Sequence, residues 1–387
     1  MNKNLFVLTL SQIFSFTAAP VTVFLSGIIG SQISPLKSLS TLPMSISVVG
    51  IAIGAILATK VMSLIGRKAG FISASIGNFL ASILAAYSIM DQNFILFCFA
   101  NFFIGVGMAF THQYRFAAAE SVEKDKVPRA ISIILLGGIV SAFLGPSMAN
   151  YGKDIVTDQL YVGSYLSLAI LTIIPAILFL FYENTSKLES NIKSSGRSYF
   201  ELISQPRFLQ ALVASAFGYA IMTFLMTATP LSMHVMEKMS LSKTGLVIQL
   251  HVVAMFLPSL VTGHLIKKFG HSNIMYVGVF LYSITIIASF FDQTYYNYMF
   301  ALIFLGLGWN FLFISGTSLL VLTYKEEEKF RAQGLNDFIV YSIHAIGSLS
   351  AGVLIALTNW KTMNIICIPL MILIILTTFR ADLREKK

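Results

Sequence analysis

The amino-acid sequence predicts an all-α membrane protein with twelve transmembrane helices in two six-helix bundles. Of its 387 residues, 56% are hydrophobic and 11% are charged, and the mean hydropathy is +0.79. These values lie far from those of soluble proteins. The apolar residues occur in runs long enough to cross a hydrocarbon layer of about 30 Å as helices. Because lipid cannot satisfy open backbone groups, and the runs lack the alternation of barrel strands, helices are expected.

Twelve apolar runs define the predicted spans. Their boundaries fall at about 5–30, 41–63, 70–90, 94–119, 128–150, 159–181, 207–236, 242–266, 272–291, 296–323, 331–357 and 361–380. The longest polar stretch, 182–206, separates six spans from six. We therefore expect an N-terminal bundle over 1–181, a linker over 182–206 and a C-terminal bundle over 207–387.

The distribution of basic residues predicts the orientation in the membrane. With a cytoplasmic N-terminus, all but five of the 26 Lys and Arg residues fall on the cytoplasmic side. The five on the outer side are Lys37, Lys153, Lys238, Lys243 and Lys361. This bias places both termini inside. It also accounts for the net charge of +9 as a topology signal, so we infer no nucleic-acid partner from it.

The two halves of the chain share an internal repeat with an offset of about 200 residues. The string "GVGMAF" at Gly105 recurs as "GLGWNF" at Gly306, and Arg129-Ala130 recurs as Arg331-Ala332. A parallel repeat of six spans plus six is typical of secondary transporters that alternate access around a central site. The repeat therefore favours transport as the function.

Soft donor groups occupy the middle of the seventh and eighth spans. Met222 and Met226 share one face of the seventh helix, about 6 Å apart along its axis. His251 and Met255 have the same spacing in the eighth span, at matching depths below the outer surface. Three thioethers and one imidazole suit Cu(I), whereas Mg²⁺ and Ca²⁺ prefer oxygen ligands. The four residues are a candidate copper site.

Core packing is the simpler interpretation of the same residues, because Met fills irregular gaps. With 16 Met in the chain, about one Met-x-x-x-Met pair arises by chance. On the residues alone, both interpretations stay open. Met233, His234 and Met236 lie nearer the outer surface, where we expect them to receive an incoming ion, and Pro230 predicts a bend in the helix.

Ionisable residues inside the spans are a second group of candidates. Arg115, Glu120 and Asp337 lie close to the inner surface, and we expect them to form gate pairs rather than to contact a solute. His344 lies near the middle of the eleventh span, as a packed hydrogen-bonded residue or as a proton carrier.

The chain resembles the major facilitator superfamily over its whole length. In that family the loop between the second and third spans carries Gly-x-x-x-Asp-(Arg/Lys)-x-Gly-(Arg/Lys)-(Arg/Lys), which latches the two halves on the cytoplasmic side. Gly66, Arg67 and Lys68 match the end of this motif, but Ser63 stands in the place of the Asp. Lys267 occupies the acidic position of the second copy. For these basic residues a latch and a topology signal are both open.

The Met and His pairs narrow the resemblance further. Met-x-x-x-Met on the seventh span with His-x-x-x-Met on the eighth is similar to the CcoA-type (CalT family) copper importers, a bacterial branch that supplies copper for haem-copper oxidase assembly. This resemblance implies Met222, Met226, His251 and Met255 as the ligands. The strings "MTATPL" and "QYRFAAAE" are shared with relatives that resemble riboflavin transporters, so they support the branch and not the metal.

We therefore predict a secondary transporter of the major facilitator fold that imports copper across the bacterial inner membrane. Copper is its substrate, with no resident cofactor, and we expect a monomer in the lipid bilayer. Uptake of an organic solute such as riboflavin is the alternative, for which Trp309 and Asn310 could stack on and hydrogen-bond a flat ring. Proton-coupled drug efflux is the third. Gly145-Pro146 resembles part of a drug-exporter motif, but Met148, Ala149 and Asn150 replace the Gly pair expected after the Pro, so we interpret these residues as close packing and a proline bend. No enzyme motif occurs in the sequence.

Overall fold

The computed structural model of the protein describes residues 2–36, 39, 42–157, 159–184 and 196–385. Within these residues, 11 helices are long and apolar enough to cross a membrane. The longest, Leu42–Met90, has 49 residues and non-helical backbone angles at Gly66, so it supplies two spans. The twelve predicted spans and the all-helical fold class are confirmed.

The helices follow the predicted spans closely, and several are made of two segments. In chain order they are Lys3–Phe16 with Ala18–Ile33, Leu42–Met90 for the second and third spans, Phe94–His112 with Tyr114–Glu120, Val127–Gly152, Val162–Leu178, Pro206–Pro230, Leu241–Phe256 with Ser259–Phe269, His271–Ala288, Tyr295–Val321, Lys329–Leu357, and Trp360–Ile366 with Ile368–Glu385.

Backbone contacts divide the chain into two compact units. The first unit comprises Met1–Val122 and Ile134–Lys193, and the second comprises Glu123–Ile133 and Ser194–Lys387. The second unit thus includes the beginning of the fifth span. Lys267 in this unit forms an ion pair of 2.9 Å with Asp125.

Two glycines give the internal repeat a structural counterpart. Gly66 has φ 81° and ψ 165°, and Gly270 has φ 83° and ψ 161°. A positive φ with an extended ψ is accessible essentially to glycine alone. Each glycine joins two spans at the same point of its half, so the repeat extends from sequence to backbone conformation.

Two other glycines let neighbouring spans approach closely. A Cβ at Gly105 of the fourth span would overlap the carbonyl of Ser47 in the second. A Cβ at Gly306 of the tenth span would overlap the carbonyl of His251 in the eighth. Small residues at such crossings allow backbones to pack tightly in membranes. The repeated string therefore marks the helix crossing on which His251 lies.

The end of the predicted linker is fastened to the second unit. The Arg197 guanidinium binds Glu328, with Nε donating to Oε1 at 2.8 Å, and this carboxylate raises the pKa of Arg197. Arg331 donates to the carbonyls of Gly196 and Arg197 at 3.0 and 2.7 Å. A short helix, Tyr199–Ile203, then leads into the seventh span.

Candidate functional site

The predicted methionine pair lies on the regular part of the seventh span. Met222 and Met226 both fall within the α-helix Pro206–Pro230, so a spacing of four residues puts them on one face. Met222 is buried, and Met226 is partly exposed. Tyr219 lies seven residues before Met226 and therefore projects from the same face, two turns nearer the inner surface.

His251 is held in one tautomer by the tenth span. Its Nδ1 lies 2.7 Å from the carbonyl oxygen of Leu302. Because a carbonyl only accepts, Nδ1 carries the proton and Nε2 of the neutral ring presents a lone pair. Nε2 is buried and has no hydrogen-bond partner among the described residues. A histidine fixed by its other nitrogen in this way suits a metal ligand or a hydrogen-bond acceptor for a solute.

Asn310 fastens the same region and is not available to a ligand. Its amide donates to the Met255 carbonyl at 2.6 Å and to Ser259 Oγ at 2.8 Å. Its oxygen accepts from Thr262 Oγ1 at 2.7 Å. Both N–H donors are used, so the expectation that Asn310 hydrogen-bonds a transported ring is wrong. The residue instead joins the tenth span to the two segments of the eighth.

Trp309 belongs to a cluster of aromatic rings that connects three spans of the second unit. Its indole stacks on Phe313 at 4.9 Å and 12°. Tyr219 of the seventh span meets it edge-on at 5.4 Å, and Phe256 of the eighth meets it at 5.7 Å. Trp309 is only 2% exposed, and its Nε1 has no hydrogen-bond partner in the part of the chain that is described.

The eleventh span completes the cluster with two rings. His344 faces Tyr219 at 4.6 Å between centroids and 34° between planes, and Tyr341 meets Tyr219 at 5.8 Å. We shall call the rings of Tyr219, Phe256, Trp309, Phe313, Tyr341 and His344 the aromatic cluster. Sequence reasoning singled out Trp309 and His344 but missed Tyr219, although its two-turn spacing from Met226 was a signal that could have found it.

The sequence profile of the Major Facilitator Superfamily matches residues 5–291 and 226–387. The chain belongs to this superfamily. It is 34% identical to the riboflavin transporter RfnT of Brucella anthropi over 375 residues, which cover 96% of this chain and 94% of the relative. This relative is named for riboflavin, and the copper-importer branch of the resemblance is not confirmed.

Two solved structures share the fold at low sequence identity. The human organic anion transporter MFSD10 superposes with a TM-score of 0.77 at 13% identity, covering 97% of this chain and 99% of that one. A bacterial homologue of the iron transporter ferroportin has a TM-score of 0.76 at 12% identity, covering 99% and 100%. At such identities the likeness shows the major facilitator fold alone, and proteins named for an organic anion and for iron both share it.

The superfamily motif between the second and third spans keeps a charge pair, with a different acid. Arg67 donates from Nε to Glu120 Oε2 at 2.7 Å and from Nη2 to Oε1. Arg67 is buried, and the Glu120 side chain is 11% exposed. Ser63, in the place of the family's Asp, donates only to the carbonyl of Lys60. The carboxylate comes instead from the inner end of the fourth span, within the first unit.

Arg115 and Asp337, two other ionisable candidates of this major facilitator chain, are buried. The Arg115 guanidinium lies 4.7 Å from the centre of the Phe116 ring in the first unit. Asp337 in the second unit is 0% exposed and accepts from the Asn336 amide at 2.9 Å. The gate role of Arg115, Glu120 and Asp337, and the proton role of His344, stay predictions.

The predicted approach path falls on a π-helix. The α-helix of the seventh span ends at Pro230, and Leu231–Met236 continues it with π-helical geometry. Met233 is 0% exposed, whereas Met236 is 44% exposed. The side chain of His234 lies outside the described part of the chain. Pro230 thus marks a change of helix type, and the role of Met233, His234 and Met236 in receiving an ion stays a prediction.

Within the described residues, no three His, Cys, Asp or Glu side chains are placed to hold a metal ion. The predicted copper site would rely on thioether ligands, which Met222, Met226 and Met255 would supply. Met255 is buried one turn from His251. Binding of one ion by all four donors stays a prediction.

Proposed function

We propose that this protein is a secondary transporter that takes up riboflavin by alternating access. The observation that carries the proposal is the 34% identity to a riboflavin transporter over nearly the full length of both chains. The aromatic cluster supports it, because a flavin is a flat ring system that stacks on aromatic side chains.

A neutral solute also suits the chemistry of the second unit. Its seventh, eighth and tenth spans carry no Asp, Glu, Lys or Arg within 208–236, 244–266 and 293–324. A charged solute would leave water there without a counter-charge, which costs several kcal/mol per ion in an apolar interior. Riboflavin has no net charge and meets this condition.

Uptake in a riboflavin-requiring bacterium tests the proposal. Cells that lack their own riboflavin uptake and produce this protein should accumulate radiolabelled riboflavin well above cells with an empty vector. They should also grow at riboflavin concentrations that do not support the vector control. If correctly inserted protein gives no accumulation above the control, riboflavin uptake is rejected.

Copper import is a second candidate, favoured by one observation, the bare Nε2 of His251. Its Nδ1 lies within hydrogen-bonding distance of the Leu302 carbonyl, which fixes the ring. The lone pair of Nε2 is therefore available, as it is in a histidine that binds a metal. Copper import predicts that His251→Leu and Met226→Leu each abolish accumulation of radiolabelled copper. Met90→Leu is the matched control, because Met90 is 50% exposed at the end of the third span.

The two candidates are separated in the same cells. Riboflavin uptake by the wild-type protein, without copper accumulation above the vector, rejects copper import. Copper accumulation that both substitutions remove, with no uptake of riboflavin, rejects the flavin proposal.

A further inference from the structure

The aromatic cluster has a closed side and an open side. Phe256, Trp309, Phe313 and Tyr341 are buried at 4% exposure or less. Tyr219 and His344 are partly exposed, and their rings face each other at 4.6 Å. The buried rings support Tyr219 edge-on from three directions. Within the cluster, Tyr219 and His344 are therefore the rings with exposed surface, and the buried rings hold Tyr219 in place.

Polar atoms without partners lie on the same two helices as the open pair. His344 Nδ1 and Thr227 Oγ1 have no hydrogen-bond partner among the described residues, and both belong to partly exposed residues. Thr227 lies eight residues after Tyr219 on the seventh helix, and Thr223, also without a partner for Oγ1, lies between them. Buried polar atoms in proteins are nearly always hydrogen-bonded, so these atoms have room for a partner that the described residues do not supply, either water or a polar group of a solute.

The distribution of charged residues in the second unit restricts the net charge of a solute that could bind there. The seventh, eighth and tenth spans are free of charged residues at this depth. On the eleventh span, the nearest ionisable group on the inner side of His344 is Asp337, a buried carboxyl. Lys329 and Arg331 lie at the inner end of the eleventh helix, and at the depth of His344 these four spans offer a phosphate no Lys or Arg. The second unit thus favours an uncharged ligand.

We propose that Tyr219 and His344 form the surface on which the ring of a neutral flavin stacks, with His344 Nδ1 and Thr227 Oγ1 hydrogen-bonded to the polar edge of that ring. This inference rests on the proposed riboflavin uptake and specifies its site and its selectivity. Riboflavin binds, and its phosphorylated forms are excluded. Trp309 supports Tyr219 from behind.

Fluorescence of the purified full-length protein tests the stacking. Flavin emission falls when the ring stacks on an aromatic side chain, so titration with riboflavin should give a saturable decrease. Tyr219→Leu and His344→Leu should each weaken binding about tenfold, the usual effect of removing one stacking ring. Tyr219→Phe keeps the ring and should bind within about twofold of wild type. Heat denaturation of each variant shows whether it is folded.

Trp309 supplies a second readout that does not depend on loss of binding. The chain has two tryptophans, Trp309 and Trp360. In a Trp360→Phe protein, riboflavin should quench the remaining Trp309 emission strongly, because Tyr219 separates the ligand from the indole by one ring only. The same titration in Trp309→Phe, which keeps Trp360 near Tyr298, should show much weaker quenching.

The outcomes separate the site from the function. If wild-type protein neither transports nor binds riboflavin, the proposed function fails. If it binds riboflavin, and Tyr219→Leu and His344→Leu are folded and bind equally well, the site is elsewhere and this inference is overturned while the function stands. Competition by flavin mononucleotide at concentrations similar to riboflavin would overturn the proposed exclusion of phosphorylated flavins.

Discussion

Polar side chains inside the spans mainly join helices to one another. His251 donates to the Leu302 carbonyl, and Asn310 donates to the Met255 carbonyl, so two hydrogen bonds in opposite directions connect the eighth and tenth spans. Asn310 adds Ser259 and Thr262 to this junction. A buried polar residue in a span is costly unless its hydrogen bonds are made. His251 and Asn310 thus have a structural role whatever the substrate is, whereas Met255 contributes only its backbone carbonyl to the junction.

Replacement of Asn310 should destabilise the protein. In Asn310→Ala the partners of three hydrogen bonds lose their acceptor or donor in a buried site, and we expect a loss of about 1–3 kcal/mol in the free energy of unfolding. The measurement is the midpoint of heat denaturation in detergent. Asn273→Ala is the control, because that amide is exposed and bonds only locally to the Phe269 carbonyl. Equal midpoints for both variants would show that the Asn310 bonds contribute little.

For the Met and His residues of the seventh and eighth spans, the sequence predicted their positions on the helices but not the residues that they contact. Methionine and histidine at matched depths are visible from spacing alone, and the structure keeps them on the predicted helices. Their contacts depend on how the tenth span packs, which Gly306 determines through its lack of a side chain. A spacing rule cannot show that Asn310 faces the eighth span or that Tyr219 faces His344, because both facts depend on the rotation of neighbouring helices.

At the level of helices, hydropathy located every span but not the breaks inside them. Turns at Thr17, Gln113 and Cys367 interrupt apolar runs without changing their composition. The break before Ser259 has a visible cause in Pro258, which lacks an amide hydrogen and ends the helical ladder. The π-helix after Pro230 was predicted only as a bend, since proline indicates an irregularity and not its geometry.

The two junction glycines should tolerate no other residue. A Cβ at Gly270 would have no neighbouring atom within 4 Å, so Gly270→Ala adds no steric clash. Its effect would come from backbone strain alone, about 1–3 kcal/mol for a non-glycine residue at a positive φ with an extended ψ. Gly77→Ala is the control, because Gly77 is helical, exposed and equally free of neighbours. We expect Gly270→Ala to lower the denaturation midpoint and Gly77→Ala to leave it unchanged or raise it. An unchanged midpoint for Gly270→Ala would mean that the junction relaxes without strain.

For the molecule as a whole, the repeat and the charge bias were readable from sequence, whereas the substrate was not. The Met and His pairs predicted copper, whereas a relative that matches 96% of this chain is named for riboflavin. The same helices could bind either substrate. Their Met and His side chains lie at matching depths as a metal site requires, and their aromatic rings lie together as a flavin site requires. Fold is shared among transporters of unrelated solutes, so only the site can distinguish them.

Orientation is the prediction that concerns the entire chain, and the repeat supplies matched positions for testing it. Asp91 and Asp292 are exposed residues on the expected outer side, and Glu123 and Glu327 are exposed on the expected inner side. The natural thiols, Cys98 and Cys367, are buried and are replaced by Ala before single cysteines are introduced at the four positions.

A maleimide that cannot cross the membrane should label the cysteines at 91 and 292 in intact spheroplasts. It should label those at 123 and 327 only after permeabilisation, because the basic residues that flank the inner loops resist translocation. Positions 91 and 123 report the orientation of the N-terminal half, and positions 292 and 327 report that of the C-terminal half. Labelling of all four in intact spheroplasts would indicate leaky membranes, whereas the reverse pattern would place both termini outside and invert the proposed direction of uptake.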